Sequence, residues 1–372
     1  MKERISVIVP IYHGEKYIKP LIHMLEEGAA VCRDRCTIEF VLSSDDPDCS
    51  LDGYVSDQME IRIVETEVNR GIHGARVRGL EYCTGDYVVF LDQDDVIRED
   101  YIKSQYEKIG DADAVVCRLV NGKRLHYTDT FRFEDVITRD FMLHHWCPIV
   151  SPGQVMLKKQ AVPSIWREKI LTNNGADDYF LWLCMMAEGK RFVLNQEILF
   201  THMITGINTS ENTNLMMDSE EEMLGILERE KVFPGDDANG FEDLKRSLRR
   251  IHVRMLDAQR KSLACLDRIN RSIRERGGMY DWMRENICRK VAVYGAGELG
   301  LALYDLLKEQ GLVPLCYLDR NAEYVMADIP AYTMENAEVK LDSILLTISD
   351  KDLEKELKRK FSCEVVNVEE IR

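Results

Sequence analysis

The chain has 372 residues, with 49 basic against 65 acidic side chains and a net charge of −16; at about 150 residues per domain, that length suits two to three domains. Apolar residues form 45% of it and charged residues 31%, with 22 glycines and 9 prolines, which excludes a disordered or collagen-like chain. A balance this acidic argues against nucleic acid as a partner, so an anionic ligand has to be held locally, by a metal ion or a few arginines.

The 11 cysteines are odd in number and scattered, with no CxxC pair; the nearest two are Cys32 and Cys36. They read as buried thiols of a reducing compartment rather than as a disulfide framework or a zinc site. The first residues, Met1 to Val7, contain no apolar signal core, and no apolar run is long enough for a bilayer. The expectation is a cytoplasmic protein.

Three segments follow one another. From residue 1 to about 212, β-rich runs alternate with helical patterns. Ile5–Val9, Ile38–Leu42, Ile61–Val64, Tyr87–Leu91 and Ala114–Cys117 read as strands, and Lys16–Glu27, Gly74–Tyr82 and Asp100–Ile109 read as helices. Leu181–Ala187 reads as a further helix, and Arg191–Leu194 and Ile198–His202 as two late strands. Such alternation predicts a mixed, mostly parallel sheet covered by helices on both faces.

Residues 213–288 carry no strand signal. Leu244, Leu248, Ile251, Met255, Ala258, Leu266, Ile269 and Ile273 recur at threes and fours, which predicts one long amphipathic helix between the breakers Phe233-Pro234-Gly235 and Gly277-Gly278. Residues 242–276 hold 11 basic and 5 acidic side chains. That reversal of charge suits the solvated face of a packing or dimerising helix, or a peripheral contact with anionic lipid at the inner face of a membrane. Residues 289–372 return to α/β, with strands at Lys290–Tyr294, Leu315–Leu318, Ile344–Ile348 and Val365–Val368 and a helix at Leu301–Gln310.

The densest chemistry sits in Val88-Val89-Phe90-Leu91-Asp92-Gln93-Asp94-Asp95, an apolar strand ending in three carboxylates. Asp92 and Asp94 can address one hard divalent cation, Mn²⁺ or Mg²⁺, which then neutralises a diphosphate. Alternatively Asp94 or Asp95 caps a helix after Val96, and Asp95 is expected to be at least partly structural. Other pieces share this setting. Ile5–Tyr12 is a strand ending in the turn at Pro10, and Ile38–Ser44 leads into Asp45 and Asp46. Asn69-Arg70-Gly71 opens a helix that carries Arg76 and Arg78.

The order of these pieces, with Thr84-Gly85-Asp86-Tyr87 directly before the acidic strand, resembles the family-2 glycosyltransferases of the GT-A fold over residues ~3–210. The resemblance implies a metal-dependent, inverting transfer of a sugar (a hexosyltransferase type) from a nucleoside diphosphate donor, UDP-linked, to a hydroxyl of a surface-glycan or lipid-linked acceptor. It assigns Pro10, Tyr12 and Glu15 to the nucleoside pocket and Asp45 to the base. It places Arg76 beside the nucleotide, Asp92 and Asp94 on the metal and donor, and Asp178 as the base that deprotonates the acceptor. Asp177 and Asp178 can equally cap the helix that follows them. His202 reads either as a ligand of the metal or diphosphate, or as a hydrogen-bonded core histidine. His144-His145-Trp146 falls where the family builds its acceptor pocket, although plain packing of Trp146 fits as well. The chain departs from the family at Asp45-Asp46-Pro47-Asp48, where Asp-Gly-Ser is usual.

Gly295-Ala296-Gly297-Glu298-Leu299-Gly300 lies between a strand and a helix, with Asp319 at the end of the next strand. That is the dinucleotide fingerprint, and it resembles the small Rossmann-like modules attached to sugar-modifying enzymes. It makes Gly295, Gly297, Gly300 and Asp319 candidates for NAD or another nucleotide. The expected organisation is a glycosyltransferase domain at 1–212, a helical linker at 213–288 and a Rossmann-like domain at 289–372. Two rival readings remain at this level: a nucleotide-dependent oxidoreductase or epimerase run by the last module, and a non-catalytic binding protein of glycan assembly.

Overall fold

The computed structural model describes residues 2–48, 51, 53–205 and 208–370. They form two units, residues 1–122 with 126–252, and residues 123–125 with 253–372.

In the first unit, the strands are β1 (Glu3–Ile11), β2 (Cys36–Ser44), β3 (Glu60–Val64), β4 (Tyr87–Phe90), β5 (Val96–Ile97), β6 (Ala114–Asn121), β7 (Val155–Lys158) and β8 (Phe192–His202). Their order across the sheet is β3-β2-β1-β4-β7-β6-β8-β5. β1 to β4 pair in parallel, whereas β7 runs antiparallel to both β4 and β6. β1 is apolar at nearly every position and buried from Ile5 to Ile11, as a central parallel strand covered on two faces must be. The helices α1 (Glu15–Cys32), α2 (Gly71–Tyr82) and α3 (Tyr101–Ile109) are the crossovers, and α4 (Asp177–Ala187) follows β7.

Thr84-Gly85-Asp86 docks β4 on β1. A Cβ on Gly85 would stand 2.5 Å from Ser6 Oγ and 2.9 Å from the Arg4 carbonyl, so only glycine fits. Asp86 accepts from the Arg4 N–H at 3.1 Å, and Thr84 donates through its N–H and hydroxyl to the buried Glu39 at 2.8 and 2.9 Å. Gly79 serves packing too: a Cβ there would meet Ile8 at 2.3 Å, so α2 lies directly on β1.

Two expectations change. The late strands at 191–194 and 198–202 are one strand, β8. Register shifts opposite Cys117–Leu119 absorb the polar stretch Asn195-Gln196-Glu197, and Asn195 donates to Gln105 Oε1 at 3.1 Å. No helix follows Asp95; the chain enters β5 instead, so neither Asp94 nor Asp95 is a cap. β7 escapes a pattern search because it is only four residues long and lies between two 3₁₀ turns.

The segment 213–288 is shared between the two units. α5 (Thr213–Arg229) puts Met223, Ile226 and Leu227 into the first core. In α6 (Asp237–Arg274), Leu244 and Leu248 belong to that core and Cys265 and Ile269 to the second, which α7 (Gly278–Asn286) joins through Met279, Trp282 and Met283.

The second unit holds β9 (Val291–Tyr294), α8 (Glu298–Glu309), β10 (Cys316–Leu318), β11 (Ala331–Tyr332), β12 (Ser343–Leu346), α9 (Lys351–Phe361) and β13 (Glu364–Asn367). All its pairings are parallel, in the order β11-β10-β9-β12-β13. Alternate residues feed two cores, Val291, Val293 and Leu345 on one face and Ala292, Tyr294 and Ile344 on the other. This is a doubly wound sheet whose direction of winding reverses at β9. Among the described residues the cysteines are free thiols, and no helix is long and apolar enough to cross a membrane.

Candidate active site

The carboxyl ends of β1, β2 and β4 and the start of α4 enclose a cavity of about 660 Å³, within the usual range for a small-molecule site. Pro10, Tyr12, Asp45, Arg76, Asp92, Asp94, Asp178 and His202 all line it. Glu15 does not belong to that wall; it is the exposed first residue of α1, and the wall continues through Lys16 and Tyr17.

Arg76 is the hub. It is 3% exposed, projects from the middle of α2, and donates from Nη1 to Asp177 at 2.6 Å and from Nη2 to Asp92. Both ends of its fork are therefore engaged, and it ties the β4 carboxylates to the α4 start. Burial opposes its charge, yet the two aspartates hold the guanidinium firmly ionised. Asp177 is the buried partner of this clamp, whereas Asp178 accepts from one of the free first-turn amides of α4, as a cap would; the N-cap position itself is Ala176, which makes no side-chain cap bond.

Asp178 stands beside that clamp. Burial, reinforced by the Asp177 charge, pushes its carboxyl up to about 8. One of its oxygens accepts from the Tyr179 N–H at 2.6 Å. An acid poised near neutrality on a cavity wall suits proton transfer.

Asp94 lines the same cavity. Burial and the neighbouring Asp95 and Asp92 carboxylates raise it to about 6. Burial also raises Asp92, and Arg76 only partly offsets this. Carboxylates that repel one another at a cavity are where a cation gains most. Asp95 faces away from this role. Its Oδ2 accepts from Ser151 Oγ at 2.9 Å, and its Oδ1 bonds His202 Nδ1 and the Met203 N–H, both at 3.0 Å. Burial disfavours the charged form of His202, but the Asp95 bond and nearby carboxylates outweigh it and raise the imidazole. His202 is thus both of the things expected of it: a bonded core histidine whose ring borders the cavity. The adjacent Gly206 and Ile207 lie outside the described residues. Among the described residues no three metal-binding side chains form a ready cage. A Mg²⁺-type cation needs none, because one or two carboxylates with substrate phosphates suffice. The hard oxygens of Asp92 and Asp94, with the His202 ring beside them, fit such an ion.

Asp45 reaches the cavity, but its Oδ1 already accepts from the Arg70 N–H at 3.0 Å, with Arg78 Nη2 at 3.5 Å. Burial raises its carboxyl despite them.

Several supporting residues leave no signal in the sequence. The indole of Trp166 donates to the Asp177 carbonyl at 2.7 Å. Buried His73 donates from Nε2 to the Trp166 carbonyl at 3.0 Å and accepts the Leu171 N–H at Nδ1. From α5, Glu222 accepts from the Thr172 and Asn173 N–H groups at 2.9 Å each, and Ser219 Oγ accepts from the Ala176 N–H at 2.9 Å. Most of these bonds join residues far apart along the chain, a spacing no periodicity reveals.

Trp146 is not on the cavity wall. It stacks on Phe131 at 5.9 Å and meets Phe141 edge-on at 4.9 Å, while His144 bonds Asp243, so packing explains this cluster. The glycine-rich turn lies in the other unit. Gly295 adopts φ +93°, and a Cβ on Gly300 would stand 1.8 Å from the Gly295 carbonyl, whereas Gly297 faces open space. Asp319 bonds the turn itself, accepting from the Ala296 N–H at 2.7 Å and the Asn321 N–H at 2.8 Å.

Comparison with known proteins agrees with the N-terminal geometry. Residues 6–166 match the family described as Glycosyl transferase family 2. The glycosyltransferase GlyG of Streptococcus pneumoniae is 29% identical over 121 residues, 31% of this chain and 38% of that protein. TarS of Staphylococcus aureus, a poly(ribitol-phosphate) beta-N-acetylglucosaminyltransferase, is 30% identical over 131 residues, 32% of this chain and 22% of that one. The chain thus spans well under half the length of either relative. Among solved structures, the mannosyltransferase PcManGT of Pyrobaculum calidifontis, in complex with GDP-Man and Mn²⁺, is 17% identical with a TM-score of 0.48, covering 84% of both chains. The match to glycosyl transferase family 2 covers residues 6–166, under half of the chain, and the mixed, mostly parallel sheet of the N-terminal unit is consistent with the GT-A organisation.

Proposed function

We propose that the N-terminal unit transfers a sugar from a nucleoside diphosphate donor, UDP-linked, to a hydroxyl of a surface-glycan or lipid-linked acceptor, with inversion at C1. The observation that carries this reading is the pairing, in one cavity, of a carboxyl raised to about 8 at Asp178 with the carboxylates of Asp92 and Asp94. The name of TarS, a transferase acting on a phosphate-linked polymer, supports the acceptor class.

In this reading, Asp178 takes the proton from the acceptor hydroxyl as that oxygen attacks C1. The C1–O bond to the diphosphate breaks on the opposite face, and no carboxylate needs to trap the sugar, so the product is inverted. Asp92, Asp94 and His202 would hold a divalent cation, Mn²⁺ or Mg²⁺, which neutralises charge on the leaving diphosphate. Arg76, bonded to both Asp92 and Asp177, keeps the β4 carboxylates and the Asp177–Asp178 pair in fixed register. The test is a panel of UDP- and GDP-sugars with Mn²⁺, read by nucleotide release for the wild type and Asp94→Ala. Release that depends on one donor and is lost in Asp94→Ala supports the reading. An Asp94→Ala chain as fast as wild type sinks it.

A further inference from the structure

Resting on the transferase reading above, we propose that His13, held by Asp46, contacts the nucleoside end of the donor and sets its affinity. Neither residue belongs to the clamp or to the carboxylates assigned to chemistry. They sit where the chain leaves β1 and β2.

His13 adopts φ +47°, the left-handed region that few residues other than glycine occupy. Glycine is adjacent, yet Gly14 has φ −114° and leaves the strained position to the histidine. Strain of this kind persists where surrounding contacts over-determine it, and two contacts do so here. Nδ1 lies 2.9 Å from Asp46 Oδ2, and the imidazole sits 4.0 Å from the Tyr12 ring, tilted by 39°. Asp46 is 6% exposed, and its other oxygen accepts from the Asp48 N–H at 3.0 Å. With Nδ1–H donating to Asp46, the Nε2 lone pair is the group left to meet a ligand. His13 lines the cavity with its side chain 69% exposed.

The chemistry of this end selects the ligand portion. The carboxylates of Asp45 and Asp46 disfavour a phosphate, while Pro10, Tyr12 and His13 offer flat surface. A nucleoside suits both conditions, because its base is planar and the whole is uncharged and carries N–H and O–H donors for Nε2. Asp46, an aspartate where a glycine is usual, then has a purpose: it is a positioning residue that aims His13.

The experiment measures binding of UDP and of GDP, each with Mn²⁺, by calorimetry, and kcat and KM with the matching sugar nucleotide. Asn tolerates left-handed backbone, so His13→Asn keeps the turn and removes the ring. It should weaken the nucleotide bound by wild type about tenfold, the worth of one good hydrogen bond, and should raise KM by the same factor with little change in kcat. Asp46→Ala should weaken binding several-fold. Asp46→Asn, whose amide oxygen still accepts from Nδ1–H, should restore most of it. A His13→Asn chain that binds as wild type does overturns this proposal alone, and so does Asp46→Asn that is no better than Asp46→Ala. A wild-type chain that binds neither nucleotide overturns the transferase reading and this proposal with it.

Discussion

As motifs, the carboxyl end of the N-terminal sheet and the glycine-rich turn of the C-terminal sheet are alike; as chemistry they differ. Both follow a buried strand and both have carboxylates close by, Asp92, Asp94 and Asp95 directly after β4 and Asp319 at the end of the neighbouring β10. At the first, Asp94 and Asp178 are pushed up to about 6 and about 8, so their preferred state depends on a ligand or proton arriving. At the glycine-rich turn, Asp319 is held by the Ala296 and Asn321 amides, and two of the three glycines answer to turn geometry and packing. The uncompensated carboxylates single out the N-terminal motif as the place where a bound cation or proton changes most.

That contrast can be broken most directly at Asp178. Asp178→Asn should lower turnover by about 10²–10⁴, measured as nucleotide release, with the fold intact by circular dichroism. In the wild type, kcat/KM should rise with pH and level off above about 8, as the cluster containing Asp178 loses its proton. The sign for stability is opposite. The folded carboxyl holds its proton from its unfolded pKa near ~4 up to about 8, so its contribution to stability falls across that window and the melting advantage of Asp178→Asn should grow. A flat rate profile and a constant melting gap would remove Asp178 from the role of base.

Next in size is Arg76→Met. It leaves Asp177 and Asp92 buried without their cation, which should cost about 3–5 kcal/mol in denaturant unfolding. A smaller effect is expected at Glu222→Gln. It weakens the bonds to Thr172 and Asn173 and should slow turnover roughly fivefold, from about 1 kcal/mol of lost positioning, with melting nearly unchanged. The smallest sharpens the other side of the comparison. Gly297→Ala, with open space around its Cβ, should leave both transfer and melting as in wild type, whereas Gly300→Ala should lower melting by its clash with the Gly295 carbonyl. Loss of transfer in Gly297→Ala would show that the C-terminal unit takes part in the reaction.

Much of the fold was legible because β1, β2, β4 and the first three helices have clean periods. The sequence pattern splits β8 in two because Asn195-Gln196-Glu197 mimics a loop, and the bulge that absorbs it is visible only from its partner β6. β7 was lost because four residues carry too little pattern. At the site, the acidic strand and the Asp177-Asp178 pair stood out, while Thr84-Gly85-Asp86, equally prominent, turned out to fasten β4 to β1. The resemblance gives Arg76 as a nucleotide contact, but its engagement by two distant carboxylates is set by the fold. His73, Trp166, Ser219 and Glu222 act through a few specific bonds and leave no trace in composition or spacing.

The indole of Trp166 has one further consequence. It is wholly buried against His73 and Phe90, and its N–H rests on the Asp177 carbonyl. Its fluorescence therefore samples the backbone that carries the acid pair. With the other three tryptophans replaced by phenylalanine, the chain would carry its own optical gauge of how tightly that loop is held when donor arrives.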